Sequence, residues 1–252
     1  MAQPVLQALL LFLAGLVAGT LNVIAGGGSM LTLPLMIFLG LPPTVANGTN
    51  RVAILVQNAG ASWSFHAKRF MSGAWLRLAV PPVLLGGVAG TLLALRIGDL
   101  AFQRVLAVVL VGITVWTLWR PTAPGGDAHA RPPVGPRRLL FAGLFFLIGF
   151  YGGFIQAGVG FVILAATSAG GLDLVRGNAV KGVLVLAFTS LALPLFAAAG
   201  KVDWVMGISL AAGNLLGGLA GVRFQVLKGH AWVRRVVTAV IVVFAVRLAI
   251  GG

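Results

Sequence analysis

Apolar stretches of about twenty residues recur from one end of the chain to the other, each matching the roughly 30 Å hydrocarbon thickness of a bilayer. Breakers and charges delimit them at 5–25, 29–40, 45–66, 74–95 and 101–119, and again at 138–156, 159–170, 177–199, 204–226 and 231–250. With 59% hydrophobic and 9% charged residues, a water-soluble fold would have to expose a very large apolar surface. The expected fold is an all-α polytopic membrane protein, with the lipid bilayer as its solvent. No basic start precedes the first segment, which runs into a glycine cluster, so it reads as a retained span. The chain has no cysteine, which removes disulfides, thiolate catalysis and Cys-based metal sites.

Two segments, 29–40 and 159–170, are too short to cross alone. Each follows a glycine cluster, AGGGS at 25–29 and AGVG at 157–160, where a continuous helix is costly. A broken or re-entrant helix is expected at both places. Non-helical backbone survives at membrane depth only when it is buried in protein or lines a wet cavity, so the glycines point to an interior site.

The net charge of +14 does not imply nucleic acid, because Lys and Arg lie mostly in loops between apolar segments instead of on one basic face. Alternate loops differ in charge. One set holds Lys68, Arg69, Arg120, Arg131, Arg137, Arg138, Arg223, Lys228, Arg234 and Arg235; the other holds Arg96, Arg104, Lys201 and Arg247, with Asp99 and Asp203 among them. The positive-inside rule puts the first set in the cytoplasm, as expected of a multi-pass protein of the bacterial inner (plasma) membrane.

A shift of 131 residues lays ANGTNR (46–51) on GNAVKG (177–182) and GGVAG (86–90) on GGLAG (217–221). With one further residue of adjustment, AGGG (25–28) falls on AGVG (157–160). The expected organisation is a first transmembrane repeat at 1–120, a mobile cytoplasmic linker at 121–137 and a second repeat at 138–252. The 66–73 loop falls in the cytoplasmic set while its mate at 199–203 does not, so the repeats should have inverted topology. Each would hold a glycine-broken helix pair followed by three spanning helices. Three and five crossings per half both satisfy the charges.

Polar residues inside such spans are the candidate ligand groups. In the first half these are Asn22, the turn residues Gly26, Gly27, Gly28 and Ser29, then Asn47, Asn50, Arg51 and Asn58. In the second they are Gln156, Gly158, Gly160, Asn178, Lys181 and Thr189. Both long helices that follow the breaks begin with cap-forming residues, so their N–H groups and positive dipole ends are expected to face an anion. Arg51 and Lys181 would supply its countercharge from two stripes flanking a cavity; the alternative is that they snorkel to headgroups. The small-residue runs GGVAG and GGLAG read as helix-packing surfaces. His66, His129 and His230 are scattered, so no metal site is expected. There is no glutamate, and Asp99, Asp127, Asp173 and Asp203 fall at segment ends, which leaves no buried carboxylate relay.

The stretches GLVAGTLNVIAGGGSMLTLPLMIFLGLPPTVANGTNRVAIL (15–55) and GFYGGFIQAGVGFVILAATSAGGLDLVRGNAVKGVL (149–184), echoed by GKVDWVMGISLAAGNLLGGLAG (200–221), resemble the sulfite exporter TauE/SafE family of membrane transporters. The resemblance implies export of a small anionic substrate, sulfite or an organosulfonate such as sulfoacetate. A secondary transporter needs no cofactor and no ATP-binding loop. An anion channel or a membrane subunit of a larger assembly would fit the same residues, whereas an intramembrane enzyme lacks an acid/base or nucleophile set. A homodimer is compatible with the sequence.

The charge asymmetry makes topology testable with single cysteines in a cysteine-free chain. In intact cells an impermeant thiol reagent should label Gly200→Cys and spare Ser72→Cys and Ala128→Cys. Equal labelling of all three would contradict the assignment.

Overall fold

The computed structural model describes residues 2–24, 26–119 and 126–225, and their regular elements are all helices. In chain order these are α1 (Ala2–Ile24), α2 (Ser29–Phe38), α3 (Pro43–Ala67), α4 (Gly73–Arg96), α5 (Asp99–Trp119), α6 (Pro136–Phe154), α7 (Val159–Ala169), α8 (Leu174–Ala198) and α9 (Trp204–Gln225). Segment 231–250 lies outside the described residues, as do Ala25, Arg120, Lys228, His230, Arg234, Arg235 and Arg247. Among the described helices, α1, α4, α6, α8 and α9 are long and apolar enough to cross a membrane. The chain is a multi-pass membrane protein. α3 has the length, 25 residues, but carries Asn47, Asn50, Arg51, Gln57 and Asn58, all buried by its neighbours.

Carboxylates start the long helices. Asp173 caps α8 by accepting from the N–H groups of Val175 (2.9 Å) and Arg176 (3.1 Å), and Asp203 accepts from Met206 at the start of α9 (2.9 Å). Asp99, at the first residue of α5, reaches across to α3 and accepts from both the N–H and the hydroxyl of Thr44. Pro43 and Pro136 open α3 and α6, where a missing N–H costs nothing.

Both glycine clusters break the helix, as expected. α2 is 10 residues long and α7 is 11, or about 15 and 17 Å of helix, too short to cross. The correspondence between the breaks differs from the glycine-on-glycine alignment. α1 ends at Ile24 and α6 at Phe154, while α2 begins at Ser29 and α7 at Val159, so Gly26 occupies the place of Gln156. Both have positive φ, +90° and +68°, a conformation in which Gly26 is at ease and Gln156 is held by its surroundings.

Helices pack through backbone. A Cβ on Gly149 would run into the carbonyl of Val83, and one on Gly153 into that of Gly87, so α4 and α6 touch closely and run parallel. Gly15 and Gly19 of α1 meet Leu210 and Asn214 of α9 in the same way, also in parallel. Gly86 and Gly90, with Gly217 and Gly221, form part of these seams, in keeping with the packing role read from the small-residue runs. In the centre α3 and α8 are antiparallel: Gly182 faces Ser62 while Gly48 faces Phe196. Large apolar side chains such as Val5, Leu6, Leu9, Leu13 and Val17 on α1 remain on the outside, where lipid is their partner.

Part of the linker read from composition makes defined contacts. The N–H of Asp127 donates to Gly171 O (2.8 Å), that of Asp173 to Asp127 O (3.4 Å), and Trp75 Nε1–H donates to Ala130 O (3.0 Å). Residues 126–130 thus lie against α4 and the α7–α8 turn through main-chain groups, which composition does not reveal.

Close backbone seams predict that Gly149→Val forces α4 and α6 apart. Overpacking of this kind costs about 1–3 kcal/mol, a fall of roughly 2–12 °C in melting temperature in detergent. Gly98→Ala, with open space around it, should melt as the parent does.

Candidate functional site

A helix that stops inside a membrane leaves its last four carbonyls without intrahelical donors, and no water is at hand to replace them. At the end of α6 each of the four has a partner. Tyr151 O accepts from Ile155 N–H (3.0 Å), Gly152 O and Gly153 O from Arg51 Nη2 (3.3 and 2.6 Å), and Phe154 O from Asn47 Nδ2 (2.8 Å). The Thr91 hydroxyl adds a second bond to Gly153 O (3.2 Å).

The end of α1 is closed in the same manner from the other half. Leu21 O and Asn22 O accept from Gly26 N–H (3.3 and 2.9 Å), Asn22 O and Val23 O from Lys181 Nζ (2.6 and 2.9 Å), and Ile24 O from Asn178 Nδ2 (3.3 Å). Each long central helix therefore carries an asparagine and a cation, one turn apart, that clamp the broken helix of the opposite half. A cation at a helix C-terminus also meets the negative end of its dipole.

Arg51 and Lys181 are only 0% and 3% exposed, so neither reaches a headgroup and the snorkelling alternative is excluded. The expectation for the helix starts is corrected as well. The first N–H groups of α3 and α8 are occupied by Asp99 and Asp173, and do not face a cavity. The aromatic ring of Phe196 lies 4.6 Å from the Arg51 guanidinium carbon. Arg51 Nε and Nη1, Asn47 Oδ1 and Gln156 Oε1 are buried and have no hydrogen-bond partner among the described residues.

The remaining candidates gather around the two breaks. Asn50 donates to Ser29 Oγ (3.1 Å) and accepts from Thr32 Oγ1 (2.7 Å), tying α3 to the start of α2. Gln156 Nε2 donates to Thr189 Oγ1 (2.7 Å), which ties the second turn to α8. The backbones of Gly26 and Gly160 lie against each other, so the breaks themselves touch; Gly27 lies against the ring of Phe161, Gly28 against α1, and Gly158 against Ile113 and Met30. Asn22 donates to Gln57 Oε1 (3.0 Å). Asn58 stands apart, donating to Ile54 O of its own helix (2.8 Å).

Gln57, Thr32, Thr91 and Phe196 were not among the sequence candidates. Gln57 carried the same signal as its neighbours, an amide inside a span; the others look like ordinary membrane-helix residues. The Tyr151 hydroxyl, which donates to Ala157 O across the second turn, had no sequence signal. A cavity of about 330 Å³ opens beside this turn, lined by residues including Val109, Leu147, Ile148, Tyr151 and Val162; its wall is apolar and unsuited to an anion.

The model of the family described as sulfite exporter TauE/SafE matches residues 11–248, a span that includes both breaks and both clamps. The chain belongs to this family of membrane transporters. Among curated relatives, a "Probable membrane transporter protein" of Haemophilus influenzae is 30% identical over 90% of this chain and 89% of its own length. "Probable membrane transporter protein ORF9" of Sinorhizobium sp is 30% identical over 94% of this chain and 90% of its own. "Probable membrane transporter protein YfcA" of Escherichia coli K12 is 28% identical over 98% and 91%. No solved structure matches. In this TauE/SafE protein the similarity thus spans the whole paired-break architecture.

If the clamp holds the α1 break in place, Lys181→Met strands the carbonyl of Val23 and Asn178 Oδ1, and leaves Asn22 O with Gly26 N–H alone. Each unmet buried group costs about 1–3 kcal/mol. Thermal unfolding in detergent should show a clear loss of stability, and a variant as stable as the parent would refute the clamp.

Proposed function

We propose that the protein is a secondary transporter that exports a small anion, sulfite or an organosulfonate such as sulfoacetate, across the bacterial inner membrane. The observation that carries the reading is a charge imbalance. Arg51 and Lys181 are buried at the helix breaks, yet the chain has only four acidic residues, Asp99, Asp127, Asp173 and Asp203, all at helix ends or in the linker. No internal carboxylate neutralises the two cations, and a buried charge without a counterion is costly. A translocated anion would supply that charge.

The proposed binding groups are those around the breaks: Asn22, Gly26 to Ser29, Asn47, Asn50, Arg51, Gln156, Gly158, Gly160, Asn178 and Thr189, with Asn58 the weakest candidate and Lys181 contributing only its charge. The name of the matched family, sulfite exporter, supports the substrate class.

Inverted topology is the reading of the repeats at 1–120 and 138–252 that suits alternating access, by rocking of one unit against the other. One pairing supports it: α3 and α8, counterparts in the repeat, are antiparallel. The parallel pairs α1/α9 and α6/α4 exchange counterparts, as a repeat in either sense would.

Purified protein in proteoliposomes should take up labelled sulfite saturably and show counterflow when preloaded with unlabelled sulfite. Flux that neither saturates nor exchanges would make the protein a channel. Absence of flux for sulfite, sulfoacetate and sulfate alike would remove the anion reading.

A further inference from the structure

Resting on the anion-transport reading, we infer that the two half-sites are chemically unequal: Arg51 ligates the anion, Lys181 is a structural clamp, and the ligand is an oxyanion presenting several acceptor oxygens. An ammonium has three N–H donors, and Lys181 Nζ has three acceptors, Asn22 O (2.6 Å), Val23 O (2.9 Å) and Asn178 Oδ1 (2.5 Å). It has nothing left to offer a ligand. A guanidinium has five, and in Arg51 only Nη2 is engaged, on Gly152 O and Gly153 O; Nε and Nη1, three N–H bonds together, have no acceptor among the described residues.

The difference follows from register. Lys181 lies three residues after Asn178 and turns back onto that side chain's oxygen, whereas Arg51 lies four after Asn47 and leaves Asn47 Oδ1 unused. Phe196 covers the Arg51 guanidinium from its ring side, 4.6 Å away. A guanidinium donates in its plane, so stacking on its face does not occupy its donors. Three free N–H bonds that leave one rigid planar group in different directions suit a ligand with several acceptor oxygens, such as sulfite, a sulfonate or a carboxylate, better than a monatomic halide.

The decisive variant is Arg51→Lys. A lysine closes the equivalent carbonyls at the other break, so at position 51 it keeps the clamp and deletes only the additional donors. Binding of sulfite and of bromide is measured by titration calorimetry on purified protein in detergent, alongside thermal unfolding. Wild-type protein should prefer sulfite to bromide. Arg51→Lys should melt with the wild type, bind sulfite roughly ten- to a hundredfold more weakly and lose most of that preference. Lys181→Arg should keep wild-type sulfite affinity.

Unchanged sulfite affinity in Arg51→Lys, or an equal loss in Lys181→Arg, overturns the inequality while leaving the anion reading intact. Wild-type binding of bromide as tight as sulfite overturns the oxyanion assignment without recourse to any variant. Failure of the wild type to bind either anion overturns the anion reading, and this assignment with it.

Discussion

The structure depends on how a helix can end in a solvent that offers no hydrogen bonds. α1 and α6 both end among buried residues of the protein, and each leaves four carbonyls that need donors there. The donors come from the opposite half: Asn47 and Arg51 close α6, Asn178 and Lys181 close α1. The polar stripe on α3 follows from this, since it has to be both buried and charged. So does the central position of α3 and α8, whose starts are fixed in turn by Asp99 and Asp173.

Packing is subordinate to that arrangement and preserves it. The glycine seams between α4 and α6, and between α1 and α9, bring backbones close enough that side chains are excluded. Each seam joins a helix of one half to a helix of the other, as do the clamps. The unit of sequence is therefore not the unit of packing: a repeat shares its most intimate surfaces with its counterpart, and the short chain ends up as one interlocked bundle.

Much of this was legible in the residues. Twenty-residue apolar runs give the spans, and glycine clusters ahead of ten-residue segments give the breaks, because both signals are local. Arg51, Lys181 and their asparagines could be singled out because charge and amide groups are rare inside spans. Their targets could not. The acceptors are main-chain carbonyls of Asn22, Val23, Gly152, Gly153 and Phe154, which have no residue identity to read. Gln156 stands at positive φ where the alignment of glycines placed no counterpart of Gly26, since a fold can hold a non-glycine there at a cost no pattern records. The contacts of residues 126–130 escaped for a similar reason: Asp127 and Ala130 meet Gly171 and Trp75 through their own backbone groups, while the composition there reads as a loop.

A chain carrying one copy of this unit would be incomplete in a membrane. Its own helix break would strand carbonyls, and the donors on its long helix would point at a break it does not possess. On the inverted-repeat reading proposed above, two copies would complete one another, and the fused protein would keep the geometry of a dimer of oppositely oriented chains. Fusion also ends the requirement that both partners be identical. Once a single polypeptide holds both copies, one cation can settle into scaffolding while the other retains spare valence, as Lys181 and Arg51 have done.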